Sequence, residues 1–142
     1  MSEGKGAGQK ARPLSPHLVG GPHILFWRWH LTMACSIVHR ATGVLLYLGA
    51  IVGAAWAFSL ASGPDAYGDF LGLMGSPIGK LFLFGLTFSA FYHLANGVRH
   101  LAWDMGEGFE PRAADTTAAA ALAFGGAATV AVWVIAALTG GI

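Results

Sequence analysis

The sequence predicts an all-α integral membrane protein with three transmembrane helices. Of its 142 residues, 55% are hydrophobic and only 11% charged, whereas a soluble domain carries about 25% charged residues. Three apolar runs are each long enough for the roughly 20 helical residues that cross a bilayer. Breakers such as "SGPDAYGD" and "GSPIG" separate the first two. Each run is read as helix because hydrocarbon offers backbone N–H and C=O groups no partner outside the segment itself.

Taken in order, residues 1–31 read as an N-terminal arm with an interfacial segment, and residues 32–142 as a three-helix transmembrane anchor. The opening "MSEGKGAGQKARPLSPH" has no apolar core before Pro13 and is no signal peptide, so it is expected to be disordered. "ILFWRWH" mixes Trp27 and Trp29 with Arg28 and His30, which suits either a segment at headgroup level or a short ordered cap over the helices. The first span is expected over about 32–61 and ends at Gly63 and Pro64. The second is expected over about 79–103, interrupted in polarity by Thr87, Ser89, His93 and Asn96. The third, over about 116–139, carries no ionisable group.

Charge excludes some functions and orients the chain. A formal charge of +1 with no basic run does not make a nucleic-acid surface. The lone Cys35 has no internal disulfide partner and lacks the C-x-x-C-H context of covalent haem attachment. Lys5, Lys10, Arg12, Arg28 and Arg40 precede the apolar stretch of the first span, which begins near Ala41, and Arg99 and Arg112 lie between that of the second, which ends near Val98, and the third, while the first loop offers only Lys80 at its end. By the positive-inside rule the N-terminus faces the cytoplasm, or the matrix of a mitochondrion. The start of the first helix and the end of the second then share the inner side, where Ser36, His39 and Arg40 can meet His100 and Asp104.

Helical periodicity groups these residues. At roughly 100° per residue, Ser36, His39, Arg40, Gly43 and Tyr47 form one stripe, and Ser89, His93, Asn96, Gly97, His100 and Asp104 form another, with Arg99 and Trp103 pointing elsewhere. Gly49 and Gly53 have G-x-x-x-G spacing on the other side of the first helix, a helix-packing face. "HR" at 39–40 reads either as an interfacial anchor or as part of a site. His93 lies roughly 8 Å inside the apolar layer by helical rise, a depth at which an ionisable residue faces a partner, a cavity or a cofactor. A core histidine bonded to a neighbouring helix and a haem or metal ligand both remain open.

"RPLSPH" (12–17), "LTMACSIVHRATG" (31–43) and "YHLANGVRHLAWD" (92–104) resemble the cytochrome b556 subunits of succinate dehydrogenase, part of the membrane anchor of complex II. The resemblance covers most of residues 12–104; the third helix matches only in being apolar, and "VGGPHILFWRW" stands where the family often has a shorter link with a glutamine. It implies a heterodimeric anchor bundle in which His93 is one axial ligand of haem b and a second membrane-anchor subunit supplies the other. It implies further that Ser36 and Arg40 line the ubiquinone pocket and that His39 lies towards the haem propionates. His100 is placed around the propionates or the pocket rim, and Asp104, with Glu110 less directly, in proton uptake. The implied partners are an iron–sulfur subunit and a flavoprotein subunit, which hold the iron–sulfur clusters and FAD, together with membrane lipid. The chain itself has no dinucleotide fingerprint or cysteine cluster and is not expected to be catalytic alone.

Physical chemistry supplies reasons for these roles. A neutral imidazole is an axial ligand for haem iron. A guanidinium and a hydroxyl stabilise charge developing on quinone oxygens, and a carboxylate at the membrane edge passes protons inward. Asp104 also reads as a solvated carboxylate near Arg99 or Arg112. A stand-alone di-haem cytochrome would need histidines in the outer halves of the helices, which have none. A fumarate reductase anchor and a cofactor-free structural anchor remain as alternatives. The expected setting is a bacterial cytoplasmic membrane with the N-terminus inside, and a mitochondrial inner membrane is the alternative.

Overall fold

The computed structural model describes residues 18–21, 24–27 and 30–141. The chain divides into two units, residues 1–30 and 31–142. In the first, β1 (Leu18–Gly21) and β2 (Ile24–Trp27) pair antiparallel with Leu18 opposite Trp27 and Gly21 opposite Ile24. Leu, Val, Ile, Phe and Trp are suited to such a ribbon. The expected disorder of residues 1–17, and the interfacial roles of Arg28 and Trp29, lie outside the described residues.

The second unit is all-α: α1 (Leu31–Ser62), α2 (Pro64–Gly75), α3 (Pro77–Asp104) and α4 (Pro111–Leu138). α1, α3 and α4 are long and apolar enough to cross a membrane. Three of the four helices begin on proline, whose fixed φ suits the first helical position and whose missing N–H would be unbonded there anyway. That is why the first loop holds a helix where the sequence suggested only a breaker. Gly63 takes φ 112° at the N-cap and reverses the chain, and Pro64 then starts α2. At Pro77 the Ser76 hydroxyl accepts from the Gly79 N–H, a side-chain cap that starts α3.

α3 packs against both α4 and α1, which also touch each other, with α2 against α1 and α3. Small residues set the approach. A Cβ on Gly125 would stand 2.9 Å from the Tyr92 Cβ, and one on Gly49 would stand 2.7 Å from Leu86. Gly49 therefore does pack on a helix, the same α3 that faces Gly43, while Gly53 has open space around it. Much of the outer surface is apolar, including Phe58, Ile78, Leu81 and Leu138. In a bilayer such a surface meets lipid or another apolar chain.

Candidate functional site

α1 and α3 bring three imidazoles into one column. His93 and His100 are seven residues apart, two turns of α3, and so share a face. His39 of α1 enters between them. Its ring stacks on His93 with centroids 4.0 Å apart at 23°, and on His100 at 5.1 Å and 20°. Stacked rings do not aim their nitrogens at a common point. Among the described residues no three His, Cys, Asp or Glu side chains form a metal-ion cage.

Each ring is held differently. The Thr42 hydroxyl lies 3.2 Å from His93 Nδ1 and donates to the His39 carbonyl at 2.8 Å. His100 Nδ1 donates to the Asn96 carbonyl at 2.7 Å, and its ring meets Trp103 edge to face. His39 Nδ1 is buried and has no hydrogen-bond partner among the described residues. Gly43 faces His93, where a Cβ would come 3.2 Å from Cε1. The unpartnered His39 nitrogen can meet a carboxylate such as a propionate, and Gly43 leaves room for the His93 ring at the helix contact, so these residues are compatible with a haem at this face.

The other expected residues lie around this column. Ser36, Arg40 and Asp104 are exposed, and Tyr47 of the same α1 stripe is 71% exposed. Asp104 ends α3 one turn beyond His100, and Glu110 is the N-cap of α4. Ser36 and Arg40 thus present a hydroxyl and a guanidinium on a surface of α1 that the described residues leave exposed.

Behind the column runs a buried polar chain that the sequence did not reveal. The Tyr92 hydroxyl donates to the Cys35 carbonyl at 2.7 Å and accepts from Asn96 Nδ2 at 2.9 Å. Asn96 Oδ1 accepts from Arg99 at 3.4 Å, and Arg99 also donates to Thr117 Oγ1 and the Ala114 carbonyl, each at 3.0 Å. The guanidinium sits 4.1 Å over the Trp103 ring. Arg99 is only 8% exposed, so the arginine of "VRH" is a brace between α3 and α4. A tyrosine one residue before a suspected ligand and an arginine three residues after an asparagine were the available signals. A separate apolar cavity of about 500 Å³ lies on the opposite face of α3, between Leu94, Val98, Trp103 and Phe124.

The family described as succinate dehydrogenase/fumarate reductase transmembrane subunit matches residues 8–136 of this chain. The succinate dehydrogenase cytochrome b556 subunit of Rickettsia felis is 36% identical over 106 residues, 75% of this chain and 77% of that protein. The mitochondrial cytochrome b560 subunits of pig and human are each 37% identical, over 99 and 101 residues, covering 68% and 70% of this chain. The chain spans just over half the length of those two mitochondrial relatives, 55% and 56%.

Proposed function

The chain belongs to the succinate dehydrogenase/fumarate reductase transmembrane-subunit family, and we propose that it is the cytochrome b anchor of a succinate:ubiquinone oxidoreductase, supplying half of a haem b site and part of the ubiquinone-reduction site. The observation that carries this reading is the column in which His39 stands between His93 and His100. It joins the two motifs of the resemblance, from α1 and α3, at one surface.

In this reading His93 would hold the haem iron from this chain, together with a histidine of a second anchor subunit. α1, which keeps only Cys35, Thr42 and Ser59 buried, offers the surface for that subunit. Haem b, when bound, supplies a one-electron carrier whose potential the surrounding protein sets. His39 offers its buried, unpartnered Nδ1 as a donor towards a propionate, and His100 borders the rim. Arg40 and Ser36 hold the quinone oxygens by hydrogen bonds that strengthen as negative charge develops there. Asp104, exposed at the inner end of α3, takes up protons from water and hands them inward. Electrons arrive from a flavoprotein subunit and an iron–sulfur subunit on the inner face, in a bacterial cytoplasmic membrane with the N-terminus inside. The family description spans both directions of the chemistry, and the potential of the quinone pool selects between succinate oxidation and fumarate reduction.

The test is to purify the chain with whatever co-isolates from its native membrane and record the pyridine haemochrome spectrum and the subunit masses. The expected result is b-type haem with a second small membrane subunit and two hydrophilic ones. A stoichiometric complex without haem would make the chain a cofactor-free anchor.

A further inference from the structure

We propose that Thr42 is a positioning residue for His93, deciding which ring nitrogen carries the proton and holding the ring in one orientation. This rests on the reading of His93 as the haem ligand and deepens it, because it names the side chain that readies the imidazole for iron.

Thr42 Oγ1 stands 2.8 Å from the His39 carbonyl oxygen and 3.2 Å from His93 Nδ1. A threonine hydroxyl has one hydrogen, and a carbonyl oxygen only accepts. If the hydrogen pointed at Nδ1, two oxygens would face each other at 2.8 Å with no proton between them. The arrangement that satisfies both contacts has Thr42 donating to the carbonyl and His93 Nδ1–H donating to Thr42. Nε2 then carries the lone pair, and a neutral imidazole binds iron through its unprotonated nitrogen.

Burial makes this assignment durable. Thr42 is 5% exposed, so little water competes for its hydroxyl, and its branched Cβ restricts χ1. The ring is bounded on three sides: Thr42 at the Nδ1 edge, the His39 ring on one face at 4.0 Å, and the backbone of Gly43 at Cε1. Nε2 is engaged by no hydrogen bond among the described residues. A hydrogen-bonded Nδ1–H makes the opposite nitrogen a better electron donor, and loss of such a partner typically weakens a metal site by about 10–100-fold. A better donor favours oxidised iron, so removing the bond should raise the haem potential.

The experiment compares Thr42→Val, Thr42→Ala and Thr42→Ser in the assembled complex. It reads the rate of haem transfer to apomyoglobin, the haem midpoint potential and the low-spin ferric EPR signal. Valine keeps the shape and removes the hydroxyl, alanine removes it without adding bulk to the helix contact, and serine retains it. The expected result is faster haem loss, by about 10–100-fold, a raised potential and a broadened EPR signal in Val or Ala, with Ser close to the native protein. Native behaviour in the hydroxyl-less variants would overturn the proposal, and so would a Ser variant as impaired as Ala, which would point to methyl packing. His93→Leu separates the two levels: haem retained there removes the ligand assignment itself, whereas haem lost there with a native-like Thr42→Ala removes only the role of Thr42.

Discussion

Gly43 of α1 and His93 of α3 meet so closely that a Cβ at position 43 would lie 3.2 Å from the imidazole Cε1. The absence of a side chain on one helix is therefore what seats the ring of the other. Gly43→Ala should displace the ring by a few tenths of an ångström, leaving the complex assembled with an altered b-type spectrum. Gly43→Val should remove most of the haem, since overpacking a fitted contact costs about 1–3 kcal/mol. The haem-to-protein ratio by pyridine haemochrome checks both.

A second close approach concerns stability alone. Gly125 faces the Tyr92 backbone, with a would-be Cβ 3.2 Å from Cα, while its neighbour Gly126 has open space. Gly125→Ala should push α3 and α4 apart and cost about 1–3 kcal/mol. Gly126→Ala should be neutral or stabilising by up to about 1 kcal/mol, because alanine favours helix over glycine. Thermal unfolding of the detergent-solubilised complex distinguishes them.

The buried chain from Cys35 to Thr117 predicts an order of severity. Asn96 is 1% exposed and serves both the Tyr92 hydroxyl and Arg99. Asn96→Leu removes both of these bonds, but the Tyr92 hydroxyl keeps the Cys35 carbonyl and Arg99 keeps Thr117 and Ala114, so it should cost about 1 kcal/mol. Tyr92→Phe leaves the buried Asn96 Nδ2 without its acceptor, so it should be the more severe of the two, at about 1–3 kcal/mol. Equal midpoints in thermal unfolding would contradict the network as described.

The spans were legible because about 20 apolar residues in a row have few other fates. Their starts were less so. Proline and glycine were read as stops at "SGPDAYGD", but Gly63 and Pro64 end one helix and open the next. His93 stood out by depth, since a titratable group inside an apolar run demands a reason. Thr42 did not, because a threonine in a membrane helix commonly bonds its own backbone, and only the neighbouring helix reveals its second contact. Arg99 looked like an inner-side charge, and its turn towards α4 depends on Thr117 and Ala114, which no spacing within α3 encodes.

The exposed pair Ser36 and Arg40 gives a prediction about quinone. Arg40→Lys keeps the charge and loses the planar fork, and Ser36→Ala deletes a donor. Both should impair succinate-to-ubiquinone electron transfer, by up to about 100-fold for one lost donor, while succinate oxidation with a soluble artificial acceptor stays near normal. An unchanged ratio of the two activities at normal assembly would make these residues interfacial anchors.

The proposed function stands or falls on His93 as the one haem ligand this chain contributes. The direct measurement is haem content and the b-type spectrum of the purified complex carrying His93→Leu, set against His100→Leu. His93→Leu should lose most of its haem or its normal spectrum, while His100→Leu, whose Nδ1 is tied to its own helix, should keep far more of both. Equal loss in the two variants, or full haem with a native spectrum in His93→Leu, would contradict the ligand assignment.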